Sequence, residues 1–287
     1  MIALLVLGTV NLYPLFFALL GSFASQKDIL EASFLPVPSG FSAALTNFSL
    51  LFSSRTFVFS ILLTVGKILF SFVVTVFVSV LAGYVFAKVR FVGKRYFFLL
   101  LVSSMMIPGV AMFVSNYIWM AKFPLAGGND ILGRGGTGFI NNPAIHFVTG
   151  WVNVYNIFLC RQAFASLGDE MNESAQIDGA GFFRVVFTIY MPLILPVLAV
   201  MFLNNFIGIW NDYMTNLIFL PTKGDWHTVG SIFVTVMTHF SEINRNGGPI
   251  YAVSLTASVV SMIPAVVVYI FVQKQFTEGL TMGAVKG

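Results

Sequence analysis

The chain has 287 residues, of which 57% are apolar and only 9% are charged. A soluble domain carries about 25% charged residues, so this composition excludes a water-soluble fold. The net charge is +4, but the cations do not gather into a stripe, and we therefore expect no nucleic-acid partner. A mean hydropathy of +0.89, with 32 Phe and 25 Gly residues, indicates an integral membrane protein whose helices contact lipid and pack closely.

Residues that usually hold metals or carry out catalysis are sparse. Cys160 is the single cysteine, and His146, His227 and His239 are far apart without the spacing of a zinc motif. We therefore predict no metal site and no catalytic residue. An enzyme embedded in the membrane is disfavoured, because it would need clustered acids, histidines or cysteines.

Six apolar windows are long enough to cross a bilayer, which takes roughly 20 residues. They cover residues 1–23, 56–87, 96–121, 142–160, 192–220 and 250–272. The sequence therefore predicts an all-α membrane protein, with residues 1–287 forming one transmembrane domain of six helices. A cleavable signal peptide is the alternative for the first window, because Ser22 and Ala24 have the spacing of a cleavage site, but no cationic stretch precedes it.

The basic residues indicate the orientation. Residues 88–95 connect the second and third windows and contain four cations and no acid: Lys88, Arg90, Lys94 and Arg95. Short loops rich in Lys and Arg stay in the cytoplasm, so we expect this loop to be cytoplasmic. Alternation then places residues 161–184, the tail at residues 273–287 and both termini in the cytoplasm.

The connection at residues 165–191 is too long for a simple turn between helices. Asp169 is a suitable N-cap for a short helix that extends to Ile177, and Gly179 ends that helix. Apolar residues then recur at helical spacing from 182 to 189, before Pro192 starts the next span. The pattern predicts two short helices joined at a glycine on the cytoplasmic face.

Three short stretches in this connection carry a resemblance. Residues 173–175 (Glu-Ser-Ala), 178–180 (Asp-Gly-Ala) and 189–192 (Ile-Tyr-Met-Pro) resemble the EAA loop of bacterial ABC importer permeases, with matching spacing. Ser174, Met191 and Gly168 depart from the usual residues. Residues 82–95, 210–213 and 279–287 are also similar to the carbohydrate-uptake subfamily that includes the maltose-type and glycerol-phosphate-type permeases.

The resemblance implies a permease of the bacterial plasma (inner) membrane that imports a sugar, an oligosaccharide or a polyol-like solute by ATP-driven alternating access. Its implied partners are a second homologous permease, two cytoplasmic ATPase subunits, an external solute-binding protein and membrane lipid. The resemblance implies no cofactor on this chain, with ATP and Mg bound by the ATPase subunits. The chain has no GxxxxGKS/T loop for ATP. The alternative is an ion- or proton-coupled secondary transporter acting without an ATPase; such a protein needs carboxylates within the membrane, for which Asp212 is the one candidate.

By the same resemblance, the connection at 165–191 couples the permease to an ATPase subunit. The residues implied are Glu173, Ser174, Ala175, Asp178, Gly179, Ala180 and Pro192. We interpret the small residues as allowing a tight fit in a cleft of the ATPase, and Glu173 and Asp178 as meeting cations there. The alternative is a pair of amphipathic helices lying on lipid, which acidic residues disfavour at an anionic membrane surface.

Polar and aromatic residues at membrane depth are candidates for the substrate pathway. They are Asn204, Asn205, Trp210, Asn211 and Asp212. Amides hydrogen-bond sugar hydroxyls and aromatic rings stack on sugar faces. The alternative is that these residues only hold helices together by hydrogen bonds. For Lys67, pairing inside the bundle and extension toward the membrane surface remain equally open.

Two glycine-rich segments complete the sequence. Residues 133–138 fit the spacing GxGxxG, but no predicted strand precedes them, and we interpret them as a flexible external loop. The tail contains Gly283, Lys286 and Gly287, and its glycines predict an extended conformation. Resemblance to maltose-type permeases implies that the tail reaches between the ATPase subunits, whereas a frayed terminus is the alternative.

Overall fold

The structure, a computed structural model, describes residues 1–222, 226–234 and 248–284. Over these residues all regular secondary structure is helical, which confirms the predicted all-α class. Two residues of the predicted tail site, Lys286 and Gly287, lie outside the described residues.

Fourteen α-helices occur in the described parts of the chain. They are α1 (Ile2–Phe23), α2 (Gln26–Leu30), α3 (Phe41–Ser53), α4 (Arg55–Lys88), α5 (Lys94–Ser103), α6 (Phe113–Ala121), α7 (Ile145–Val148), α8 (Val154–Ala165), α9 (Glu170–Ile177), α10 (Phe182–Arg184), α11 (Leu195–Trp210), α12 (Met214–Phe219), α13 (Val229–Val234) and α14 (Ile250–Ala284). Tighter 3₁₀ turns cover Ser104–Met106, Gly109–Met112 and Met191–Ile194, and a π-helical turn covers Val185–Tyr190.

Four helical stretches of the described chain are long and apolar enough to cross a membrane. They are Leu4–Phe23, Arg55–Lys88, Phe182–Trp210 and Ile250–Gln273, and they overlap the first, second, fifth and sixth predicted spans. A fifth candidate consists of Lys94–Met106 and Gly109–Ala121, which meet at a bend of 95°. The bend follows from Pro108, because proline disfavours helical geometry at the residue before it, and Ile107 is extended.

The predicted fourth span, residues 142–160, is not one continuous helix. The four residues of α7 are followed by an extended Thr149, and α8 begins anew after an extended Asn153. The Asn153 side chain accepts a hydrogen bond from the backbone N–H of Asn156 at 3.1 Å. An asparagine that caps a helix in this way favours a new helix start over continuation, which is why the apolar run is interrupted.

The chain divides into two compact units. The first contains Met1–Thr64, Trp210–Leu217 and Lys223–Val268, and the second contains Val65–Ile209, Ile218–Thr222 and Tyr269–Gly287. In the first unit, a core cluster joins α3, the start of α4, α13 and α14 through Leu51, Phe57, Ile232, Ile250, Val253 and Ala257. The buried Asn47 amide also donates to the Ser22 and Ala24 carbonyls at 3.2 and 2.9 Å, which ties α3 to the end of α1.

In the second unit, α4, α8, α9 and the stretch from 185 to 201 surround one apolar cluster. Its buried members are Val80, Tyr84, Cys160, Phe164, Ala175, Val185, Val186, Tyr190, Ile194, Leu198 and Met201. A Cβ at Gly83 would lie only 2.5 Å from the Cβ of Cys160. Gly83 therefore allows the backbones of α4 and α8 to approach closely, as small residues do in membrane helix pairs.

The loop between α6 and α7, predicted to be flexible, has a compact conformation that hydrogen bonds hold together. The Asn129 amide donates to the Ala121 and Phe123 carbonyls at 3.0 Å and its Oδ1 accepts from the Gly136 N–H at 2.9 Å. A Cβ at Gly127 would lie 2.1 Å from the carbonyl oxygen of Gly138. The high glycine content thus permits close backbone packing in this loop.

The predicted extended tail also differs from the structure, because α14 continues through Gly279 and Gly283 to Ala284. Each interior glycine costs about 1 kcal/mol relative to alanine. Extending an existing helix nevertheless avoids the cost of nucleation, so the helix before the tail outweighs the preference of its glycines for an extended conformation.

We predict that Gly83→Leu destabilises the protein by about 1–3 kcal/mol, because the added side chain would overlap Cys160 and push α8 away from α4. Thermal unfolding in lipid nanodiscs would measure the change. Gly66→Leu is the matched control on the same helix, since a Cβ there meets no atom within 4 Å. Equal unfolding temperatures for the two variants would contradict the proposed close packing.

Candidate functional site

Residues 165–191, which we call the coupling segment, fold only in part as the sequence predicts. The first short helix and its glycine end are present, whereas the predicted second short helix is not separate: α10 and the π-helical turn Val185–Tyr190 continue into the apolar stretch Phe182–Trp210. The helix α9 spans Glu170–Ile177, and the Asp169 carbonyl accepts from the Glu173 N–H at 3.1 Å at its start. At its end Gly179 has a φ of +72°, and the Ala180 N–H donates to the Ala175 carbonyl at 2.9 Å. This is a Schellman ending, which requires a left-handed residue at position 179 and confirms the predicted glycine stop.

The outer face of α9 is acidic and includes the apolar side chain of Ile177. Ile177 is 87% exposed, and the neighbouring carboxylates of Glu170, Glu173 and Asp178 are exposed as well. Ser174 and Gly179 lie on the same exposed surface. We call this set of residues the acidic face; its chemistry suits an apolar cleft with a basic rim.

Ala175 does not lie on this face, contrary to our interpretation of it as a residue in contact with the ATPase. It is only 5% exposed and packs in the apolar cluster of the second unit, and Ala180 is half-buried against the same cluster. Because α9 is amphipathic, Ala175 faces inward, and its small side chain allows the helix to approach Tyr84 and Tyr190. Pro192 is exposed and begins the 3₁₀ turn that leads into α11.

The segment before α9 is held by a lysine from α4. The Lys88 Nζ donates to the Leu167 carbonyl and to the Asp169 carboxylate, each at 2.5 Å. The Lys88 side chain is 5% exposed, whereas that of Asp169 is 71% exposed. The hydrogen bond and charge of Lys88 hold the pKa of the Asp169 carboxyl below its usual range, so this carboxylate stays ionised at neutral pH. Solvent screens its exposed side, and such pairs contribute about 0–1 kcal/mol.

Tyr84, one turn before Lys88 on α4, makes the second connection. Its hydroxyl donates to the Asn172 Oδ1 at 3.0 Å. Its ring lies edge-on to the rings of Phe164, Phe182 and Tyr190, with centroids 5.9, 5.7 and 5.2 Å away. Edge-to-face aromatic pairs of this kind contribute about 0.5–1.5 kcal/mol each beyond their burial. Tyr84 thus joins α4 to α8, α9 and α10 at one point.

Tyr190 makes a third connection, because its hydroxyl donates to the Gly168 carbonyl at 3.3 Å. The contacts of Tyr84, Lys88, Asn172 and Tyr190 were not foreseen from the sequence. One signal was present: Tyr84 and Lys88 are four residues apart at the end of a span, a spacing that puts them on one helix face.

The pathway candidates Asn204 and Asn205 occupy different environments on α11. The Asn205 Nδ2 donates to the Ser71 Oγ on α4 at 3.0 Å, which matches the alternative that it holds helices together. Asn204 is exposed, as are Ile207 and Gly208 one turn later. Among the described residues the Asn204 amide forms no hydrogen bond, so an amide stands on an outward face of an apolar helix.

The other three candidates belong to the first unit. The Trp210 Nε1 donates to the Ser261 carbonyl at 3.2 Å. The Asp212 carboxylate caps α12, accepting from the Thr215 N–H at 3.1 Å and the Thr215 hydroxyl at 2.6 Å. Trp210 and Asn211 line a groove of about 290 Å³, with Val229, Gly230, Phe233, Ser258, Ser261, Met262 and Ala265. The five candidates are therefore divided between the two units, and Asp212 has a structural role in its own.

Known proteins resemble this chain over most of its length. Residues 37–277 match the family described as binding-protein-dependent transport system inner membrane component. The chain is 31% identical over 218 residues to the melibiose/raffinose/stachyose import permease protein MelC of Bacillus subtilis, which covers 76% of this chain and 72% of that protein. It is 28% identical over 286 residues to the arabinooligosaccharides transport system permease protein AraQ of the same organism, over 99% of this chain and 93% of that protein.

A solved structure has the same fold. It is that of a bacterial ABC transporter involved in the import of the acidic polysaccharide alginate. The TM-score is 0.75 at 23% sequence identity, and the match covers 96% of this chain and 94% of that chain.

Proposed function

The chain belongs to the family of inner membrane components of binding-protein-dependent transport systems, and from that premise we propose that it carries a sugar, an oligosaccharide or a polyol-like solute into the bacterial cell. Two similar proteins are named as permeases for oligosaccharides, which supports a carbohydrate substrate. A permease of this family is not itself an enzyme, and it works with an external binding protein. We further propose that ATP and Mg are bound by separate ATPase subunits.

Our proposed topology keeps six crossings and cytoplasmic termini. The contact between Lys88 and Asp169 supports it, because this contact requires the basic loop at 88–95 and the coupling segment to lie on the same side of the membrane. We propose that α8 and the broken stretch before it form the fourth crossing. The family match runs continuously through both units, which supports one transmembrane domain.

The coupling role that we propose for the acidic face depends on one observation: Ile177 is 87% exposed between carboxylates. The opposite face of the same helix is held by contacts of Asn172 and Ala175 within the chain. An exposed isoleucine gains about 1.5–3 kcal/mol when an apolar cleft covers it. The surrounding acids then select a cleft with cations at its rim. An ATPase subunit with such a cleft fits this face, whereas an anionic lipid surface would repel it. We also propose that the tail at residues 273–287 reaches the ATPase subunits.

We predict that Ile177→Asp weakens binding of the ATPase subunits at least about 30-fold, the effect of losing a central contact worth 2 kcal/mol or more. Membrane insertion should be unchanged, since the side chain has few contacts within the chain. Co-purification over a range of ATPase concentrations would measure the loss. Val92→Asp is the control, because Val92 is 96% exposed in the other cytoplasmic loop. Equal ATPase binding by both variants would refute the coupling role.

Two substitutions at Gly179 test the backbone conformation and the contact with the ATPase separately. A Cβ at Gly179 meets no atom of the residues that the structure describes within 4 Å, although φ is +72°. We predict that Gly179→Asn keeps most of the uptake, since asparagine tolerates this conformation. Gly179→Trp should insert normally but abolish uptake, because the large ring would clash with the ATPase cleft. Uptake into proteoliposomes measures both, and equal uptake by the two variants would remove Gly179 from the contact.

For the pathway, we propose that Asn204 and the groove beside Trp210 and Asn211 contact the solute, whereas Asn205 is structural. We predict that Asn204→Ala lowers uptake several-fold without changing the unfolding temperature. In contrast, Asn205→Ala should destabilise the protein by about 0.6 kcal/mol, the average for hydrogen bonds between membrane helices. Uptake assays and thermal unfolding of both variants measure the contrast, and a loss of stability in Asn204→Ala would argue against its pathway role.

A further inference from the structure

We propose that Tyr84 and Lys88 are positioning residues for energy coupling, because they fasten α9 to the cytoplasmic end of α4. We call the set Tyr84, Lys88, Asp169 and Asn172 the α4–α9 clamp. The proposal rests on the coupling role proposed above for α9. It goes beyond that role by naming the side chains through which α9 displaces a membrane-spanning helix.

The two α4 residues hold α9 at different points. They are four residues apart and therefore lie on the same face of α4. Tyr84 bonds to Asn172, within the first turn of α9, whereas Lys88 bonds to Leu167 and Asp169, which precede the helix. One attachment would leave α9 able to pivot about it. Two attachments on either side of the helix start fix its direction as well as its position.

The clamp is shielded from water on its α4 side. Tyr84 is 3% exposed and the Lys88 side chain is 5% exposed. The donor ends of these hydrogen bonds are therefore shielded, which strengthens the bonds electrostatically relative to water, whereas the Asp169 carboxylate is 71% exposed. Lys94 closes the end of α4 by donating to the Ala87 and Val89 carbonyls at 3.0 and 2.9 Å. These carbonyls therefore do not compete for Lys88, whose ammonium group remains directed at the coupling segment.

A clamp of this kind transmits displacement instead of absorbing it. If α9 slid along α4, the hydrogen bonds of Tyr84 and Lys88 would break, and the shielded Tyr84 hydroxyl and Lys88 ammonium group would lose their partners. Packed elements of this sort shift together between discrete arrangements. A displacement of α9 by the ATPase therefore moves the cytoplasmic end of α4 with it, whereas an unclamped α9 would move alone.

The test uses the complete transporter, with its second permease, ATPase subunits and binding protein, in proteoliposomes. The measured quantity is the amount of solute transported per ATP hydrolysed. We expect Lys88→Met to lower this ratio by about 2- to 30-fold, the range seen when residues between coupled sites are changed. The ATPase subunits should still co-purify, because the acidic face is untouched. Lys88→Arg keeps a cation and its donors and should restore at least half of the ratio.

Arg90→Met is the matched control, because it removes the same charge two residues along the chain from an exposed position. The expected result is an unchanged ratio. Tyr84→Phe provides a second variant that removes one hydroxyl and keeps the buried ring. If Lys88→Met fails to assemble, the ratio measured for Tyr84→Phe decides the outcome.

Amide hydrogen exchange of residues 170–177 in the assembled complex provides a readout that is independent of transport. We expect faster exchange in Lys88→Met and Tyr84→Phe than in Arg90→Met. An unchanged transport ratio in assembled Lys88→Met would overturn the clamp while leaving the coupling role of α9 intact. A lowered ratio with unchanged exchange would also overturn it, because α9 would then still be held. Failure of the coupling role itself appears separately, as unimpaired ATPase binding by Ile177→Asp.

Discussion

The burial of a lysine at the end of a membrane-spanning helix is the constraint on which the second unit depends. The Lys88 ammonium group lies where water hardly reaches it, so it needs protein partners, and a carbonyl and a carboxylate before α9 provide them. This requirement brings the start of α9 to α4. Once it is there, the small side chain of Ala175 lets the helix settle on the aromatic cluster around Tyr84.

In this arrangement α9 has an inner face that contacts the rest of the chain and an outer face that is exposed. Its inner face bonds and packs within the chain through Asn172 and Ala175. Its outer face leaves Ile177 exposed among carboxylates, where no residue in the described part of the chain covers it. A helix of eight residues is marginal in isolation. The inner contacts therefore maintain the helix that presents the outer face.

Sequence features predicted those parts of the arrangement that depend only on residues close together in the chain. Helical spacing and the left-handed requirement at Gly179 identified α9 and its end, and apolar length identified the long spans. The partners of Lys88 were not predictable, because the residues it bonds are about 80 positions away and many cations end membrane helices. The break before α8 depends on whether Asn153 caps a helix or continues one. The conformation of the glycine-rich loop between α6 and α7 was not predictable either, since glycine permits both mobility and close packing.

The apolar cluster beneath α9 extends the effect of the clamp to a second membrane helix. It includes Ile194, Leu198 and Met201, which belong to the stretch leading into and along α11. The bond from Asn205 to Ser71 then ties α11 to α4 again, farther along both helices. Because α4 and α11 are joined at two levels, a force at α9 acts on them together and not on one against the other. The outward amide of Asn204 is carried on α11, so a displacement of α9 would reach it through the apolar cluster, with α11 also held to α4 by the hydrogen bond from Asn205 to Ser71.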